Sequence, residues 1–201
     1  MKSLEHPRPA SASGHPRANV RDRRIDRTRS AVAAAFNTLL LERGYSRVSV
    51  RDVIARANVG RSTFYEHFEN KRDVLEQSLA PILTPLADVL RTGRPDARLQ
   101  SILAHMWDNR KLAAATFLGS SRAVVTRSLA RLLEERLEER PGRFVVARPL
   151  VAAALAAAQI ALLEAWVTEE PPAEIHAMAR ALFQMTVAAA AAAQTPTSLA
   201  V

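Results

Sequence analysis

The stretch Val50 to Lys71, VRDVIARANVGRSTFYEHFENK, decides how the rest of the chain is read. Val53, Ile54 and Ala57 share one face of a brief helix, while Arg51, Asp52 and Arg56 lie on the other. Ser49, followed three residues later by Asp52, makes a capping-box pattern with the shorter acid, so this helix starts at Val50. It ends near Asn58, one of the few residue types besides glycine that tolerate a left-handed backbone, and Gly60 adds freedom two positions on. Val59 plugs the angle. A further helix from Arg61 to about Phe68 buries Phe64 and Phe68 at i and i+4, which leaves Arg61, Ser62, Thr63, Tyr65, Glu66 and His67 on the outer arc. A short helix pinned by two aromatics and displaying donors and acceptors suits the major groove, where base edges are told apart by such groups.

Working outward, residues Ser49 to Leu75 closely resemble the N-terminal domain of the tetracycline-repressor (TetR) family of bacterial regulators. Thr63-Phe64-Tyr65, His67-Phe68 and the Lys71-to-Leu75 spacing carry the resemblance in combination, and it extends over about residues 26 to 76. Two positions depart from the family pattern. Asn58 stands where glycine is usual, and Gly60 where a serine usually caps the reading helix, a cap worth about 1 kcal/mol or less. The resemblance implies base or near-base contacts from Arg61, Ser62, Thr63 and His67, and phosphate contacts from Ser49, Arg51, Tyr65 and Lys71. Thr63 packing only its methyl, and His67 lying half-buried against the preceding helix, stay open as alternatives.

Upstream, Val32, Phe36, Leu39 and Leu40 recur at helical spacing between Asp26 and Arg43, and Gly44 stops that helix. Residues 1–24 mix proline, glycine and serine with basic side chains and show no hydrophobic period, which predicts a disordered arm. Two readings of it remain: a solvated tail, or a basic arm in which Arg21, Arg23 and Arg24 follow the backbone or enter the minor groove. The head therefore spans 25–72.

Downstream, the helical period continues to about residue 91, with Pro81 and Pro85 predicting a kink or split near Ala80 to Thr84. A loop at 92–98, a helix carrying Leu99 to Trp107, a short apolar piece ending at Gly119 and a long amphipathic helix from Arg122 to Arg140 follow. Pro149 opens a helix that is apolar nearly all round, and the last helix runs from about Ala173 to Ala193. Their alanines allow close approach, which makes these two helices the expected homodimer elements of a helical effector-binding and dimerisation domain, 73–193, with 194–201 as a tail. The competing reading is an alanine-rich core without dimerisation. His105, Met106, Trp107, Phe117, Trp166, Met178 and Phe183 are candidates for an effector pocket, or plain core residues.

Charge and composition bound the function. The net charge is +8, and residues 1–80 carry 15 basic and 9 acidic side chains against 13 and 11 in the remainder, which directs an anionic partner to the N-terminal part. With no cysteine, thiolate catalysis, disulfides and cysteine-held metal are excluded. The five histidines are scattered, and neither a glycine-rich phosphate loop nor a metal-spaced acid cluster occurs, so no catalytic residues, no metal and no cofactor are expected. The run from Leu150 to Val167 is broken by Gln159 and Glu164, which favours a cytoplasmic protein without a membrane segment. The expectation is an all-α regulator: a three-helix, helix-turn-helix head on a helical body, binding a double-stranded DNA operator as a dimer, answering to an unknown small molecule, and acting as a repressor. A sequence-tolerant DNA-coating protein and a helical enzyme with a vestigial head are the alternatives.

Overall fold

The computed structural model describes residues 16–169 and 173–195, with side chains from residue 23 onward. The described residues form α1 (Pro16–Arg43), a 3-10 turn (Tyr45–Arg47), α2 (Val50–Ala57), α3 (Arg61–Tyr65), α4 (Lys71–Asp88), α5 (Ala97–Asp108), α6 (Arg110–Phe117), α7 (Arg122–Glu138), α8 (Arg148–Thr168) and α9 (Ile175–Ala192). Pairing of the β type amounts, among these residues, to one antiparallel bridge between Phe144 and Gln194. The molecule is all-α, as the periodicity predicts.

In the head, Val32, Phe36, Leu39 and Leu40 of α1 are buried against Tyr45, Val48, Val53, Phe64 and Phe68, and the Phe36 and Tyr45 rings meet edge-on at 6.3 Å. α4 then carries this core into the body without a break, because Val74 and Leu75 pack under the head while Leu79, Leu83 and Leu86 pack on α7. In the body, Val125, Leu129, Leu133 and Leu137 of α7 face Ala152, Leu155, Ala156, Ile160 and Leu163 of α8; small residues in α8 let the two helices lie close.

Polar ties fix the far end of α4. The Arg136 side chain, 10% exposed, donates to Asp88 Oδ1 at 2.8 Å, and Arg91 reaches the same carboxylate at 3.3 Å. Buried Gln159 of α8 donates from Nε2 to the Leu86 carbonyl at 3.1 Å and to Thr186 Oγ1 of α9 at 2.9 Å, which ties three helices with one amide.

Four expectations need correction. Residues 16–24 are not an irregular arm but the first turns of α1, which starts with proline at its first position, where a missing N–H costs nothing; residues 1–15 lie outside the described residues. Of the kink or split expected near Ala80 to Thr84, the split does not occur: α4 is one helix, with Pro81 and Pro85 inside it. Pro81 removes the partner of the Gln77 carbonyl and Pro85 that of Pro81, and Gln77 and Pro81 are both exposed, so water can take those acceptors. α3 stops at Tyr65, three residues short of Phe68, because Asn70 caps α4 from just beyond and forces a turn between. The body reaches past residue 193: Thr195 N–H donates to the Arg143 carbonyl at 2.8 Å and Gln194 Nε2 to the Pro141 carbonyl at 3.2 Å, leaving 196–201 outside the described residues.

Candidate nucleic-acid interface

The site is built from α2 outward. Ser49 caps α2: its hydroxyl accepts from Asp52 N–H at 3.2 Å, and Asp52 Oδ2 accepts from Ser49 N–H at 3.0 Å, completing the capping box read in the sequence. The Ser49 hydroxyl and then the Ser49 N–H, both donating to Asp52 Oδ2, hold that carboxyl below its ordinary value, with Arg43 and Arg51 adding a smaller coulombic pull. At the other end of α2, the Arg56 guanidinium grips the Glu42 carboxylate with two bonds of 3.0 and 2.8 Å, lowering the Glu42 pKa and fastening α2 to α1.

The turn closes as expected at Asn58, whose φ of 51° and ψ of 46° are left-handed. Gly60 does not share in this. Its φ of −66° and ψ of 148° are open to any residue, so its place in the turn is not conformational; as N-cap of α3 it supplies no side-chain hydrogen bond.

α3 is held from below by Phe64 and Phe68, both buried, with ring centroids 5.5 Å apart. Above them Arg61 and Ser62 are exposed, and Thr63 and His67 are half-buried. Tyr65 is 49% exposed, its ring edge-on to Phe64, and the Arg61 guanidinium lies 5.7 Å from its centroid. Ser49 and Arg51 are exposed at the start of α2. Ser49 has part of its bonding capacity spent on the capping box, since its hydroxyl also donates to Asp52 Oδ2 at 2.6 Å.

Lys71 is a correction. Its ammonium turns inward, donating to the carbonyls of Val48 at 2.9 Å, Tyr45 at 3.0 Å and, more weakly, Ser46 at 3.4 Å, while lying 4.6 Å from the Tyr45 ring centroid. An ammonium has three protons, and here all three have acceptors inside the chain. This geometry makes Lys71 a brace of the 3-10 turn instead of an outward phosphate contact.

A cleft of about 580 Å³ joins the start of α1 to α3, lined by Arg24, Ile25, Thr28, Arg29, Thr63, Glu66 and His67. It brings the arm residue Arg24 beside two of the base-reading candidates. Arg23 is exposed nearby on α1, whereas the side chain of Arg21 is outside the described residues. Thr28 and Arg29 were not singled out from the sequence. The signal lay in their spacing from Arg24, which falls on one face only once α1 is started early enough to contain it.

The seven pocket candidates do not converge. His105, Met106 and Phe117 line a cavity of about 110 Å³ between α1, α4, α5 and α6, together with Asn37, Ser78 and Asn109. Trp107 and Trp166, with centroids 5.3 Å apart, line a separate open groove beside Ala104, Ile175 and His176. Met178 is core, Phe183 packs half-buried against it, and neither borders these two cavities. Among the described residues no group of three or more His, Asp or Glu side chains is placed to hold a metal ion.

A helix-turn-helix head fused through a shared helix to an all-helical body is the architecture of a two-part DNA-binding regulator. The sequence profile of bacterial regulatory proteins of the tetR family matches residues 32–77, which run from the buried part of α1 into α4. The chain is 33% identical over 135 residues to YdeS, an uncharacterized HTH-type transcriptional regulator of Bacillus subtilis strain 168, an overlap of 66% of this chain and 64% of YdeS. With the HTH-type regulator YxbF of the same organism it shares 34% identity over 70 residues, which is 34% of this chain and 18% of that one. The chain thus spans less than two thirds of either relative. A TetR transcriptional regulator from Streptococcus agalactiae 2603V is similar at 28% identity and a TM-score of 0.51, across 84% of this chain and 98% of that one. The head, residues 32–77, is thus similar to that of the tetR family of bacterial regulatory proteins.

Proposed function

We propose that this chain is a homodimeric, ligand-responsive transcriptional repressor of the cytoplasm. Two copies of α3 enter successive major grooves on one face of a near-palindromic operator, about 34 to 36 Å apart. The observation that carries this reading is the head's outer surface. Arg61, Ser62 and Thr63 on α3, and His67 in the turn that follows it, stand above a side locked by Phe64 and Phe68, beside a cleft that supplies Arg24 and Arg29 for phosphates.

Dimerisation through α8 and α9 is supported by what those helices leave uncovered. Half of the most apolar 18-residue window of α8 is buried within the chain, and 28% of that of α9. The uncovered face of α8 is mostly alanine, with exposed Ala153, Ala154, Ala157, Ala158 and Ala161, and Met185 lies exposed on α9. An uncharged surface of small residues fits a second copy of itself.

Effector binding is assigned to the 110 Å³ cavity rather than to the open tryptophan groove, because α1 of the head forms one of its walls through Asn37. A small molecule there acts on DNA affinity only if it prefers the conformation that cannot bind the operator.

Selection of binding sites from random duplex DNA with the purified chain tests the proposal. A near-palindrome with half-sites one helical turn apart is expected; recovery of unrelated sequences with equal affinity at moderate salt overturns it.

A further inference from the structure

The head touches the body at a place that the DNA-binding reading leaves unused. The Ser46 N–H, in the 3-10 turn that precedes α2, donates to Ser120 Oγ at 2.9 Å, across 74 residues of sequence. Ser120 stands in the tight turn between α6 and α7, and that turn is built to hold its position. A Cβ on Gly119 would lie 2.5 Å from the Ala115 carbonyl oxygen, so no other residue fits without shifting the backbone. On the other side, Ser121 is fully buried and its hydroxyl donates to the Thr116 carbonyl at 2.7 Å. A rigid turn therefore presents one hydroxyl to the head.

What that hydroxyl holds is equally well defined. The three carbonyls of the same short segment are gathered by the Lys71 ammonium, so the 3-10 turn moves as one piece with the start of α4. The segment ends at Ser49, the N-cap of α2, which leaves no slack between Ser46 and the helix that supports α3. α1 also packs on α6, and the exposed Ser46–Ser120 bond is a second, polar link between head and body. A hydrogen bond is directional where apolar packing is not, so this link adds an angular preference to the head–body contact.

We infer that Ser120 is a positioning residue for DNA recognition: through Ser46 it fixes the angle of the head on the body and so the separation of the two reading helices. The inference rests on the proposed dimeric operator binding for its effect on DNA, but not for its effect on the head's orientation. Ser120 touches no base or phosphate in this arrangement. Its consequence is a preference for one half-site spacing, with little effect on which bases are read.

Two measurements test it on the full-length chain, comparing wild type with Ser120→Ala, which removes the acceptor, and Ser120→Thr, which restores a hydroxyl. In the first, spin labels on Ala55→Cys in α2 and Arg131→Cys in α7 report the head-to-body distance, with labelled chain diluted into unlabelled chain; the native sequence has no competing cysteine. Ser120→Ala is expected to broaden the distance distribution and Ser120→Thr to narrow it again. An unchanged width in Ser120→Ala overturns the inference whatever DNA does. In the second, affinities are measured for the selected palindrome and for versions with one base pair added or removed at its centre. Wild type should disfavour the altered spacings at least tenfold, and Ser120→Ala should reduce that discrimination threefold or more with the same preferred bases. Equal discrimination in both proteins also overturns it. If wild type finds no two-fold site at all, the operator reading fails, and the label distances alone decide the role of Ser120.

Discussion

α2 and α3 are neighbours in sequence and nearly equal partners in a helix-turn-helix, yet they are secured in opposite ways. α2 has a reciprocal cap at one end, a two-bond guanidinium–carboxylate clamp at the other, and a left-handed asparagine closing it. α3 has five residues, an N-cap with no side-chain bond and, among the described residues, no ion pair. Its hold on the head is almost entirely Phe64 and Phe68. The supporting helix is over-determined by local polar bonds, and the reading helix is held by apolar burial from beneath. This division leaves every polar group on the upper side of α3 available to DNA.

The comparison breaks most visibly at Phe64. Truncating a fully buried phenylalanine to alanine costs about 3 to 5 kcal/mol, and a small domain has only about 5 to 15 kcal/mol in total. Phe64→Ala should therefore lower the urea midpoint sharply and abolish operator binding while the α-helical circular dichroism of the body remains. A variant that loses DNA binding with unchanged stability would mean that Phe64 acts at the surface and that burial does not secure α3.

A smaller effect is expected at Lys71. Lys71→Met keeps most of the aliphatic stem and removes the ammonium, leaving the Val48 carbonyl without its donor and the Tyr45 carbonyl with the Val48 N–H alone, at a cost of about 1 to 3 kcal/mol. The salt dependence of operator binding should keep its wild-type slope. A slope flatter by about one would restore Lys71 to the phosphate contacts.

Much of this contrast is legible in the sequence, because it is local. Ser49 and Asp52 are three residues apart, Phe64 and Phe68 four, and Asn58 announces its own backbone conformation, so cap, pins and turn need no tertiary information. The inward turn of Lys71 is different in kind: its three acceptors lie 23 to 26 residues upstream and are brought together by a 3-10 turn that no periodicity reveals. That Pro81 and Pro85 do not split α4 was hidden for a related reason, since the cost of a proline depends on whether the orphaned carbonyls meet water, which only the fold decides. The scattered pocket candidates were partly avoidable. His105, Met106 and Trp107 are consecutive on a helix, and at about 100° per residue they could not all have faced one cavity.

The mildest test of the comparison adds to α3 the cap that α2 has. Gly60 adopts an extended backbone that any residue can take, and a Cβ there would meet Thr63 Oγ1 at 3.5 Å and Ser62 Oγ at 4.0 Å, ordinary contact distances. Gly60→Ser therefore fits without strain and places a hydroxyl where the free N–H groups of the first turn of α3 need an acceptor. From glycine the gain is a few tenths of a kcal/mol, about 1 °C in melting temperature for a chain of this size. Amide exchange in α3 should slow by a comparable factor while that in α2 stays as it is. If α3 gains protection and operator affinity rises with it, the uncapped helix was losing affinity to fraying. If protection rises and affinity falls, the five-residue helix needs freedom at its first turn to settle into the groove, and the missing cap at Gly60 is part of how the head reads DNA.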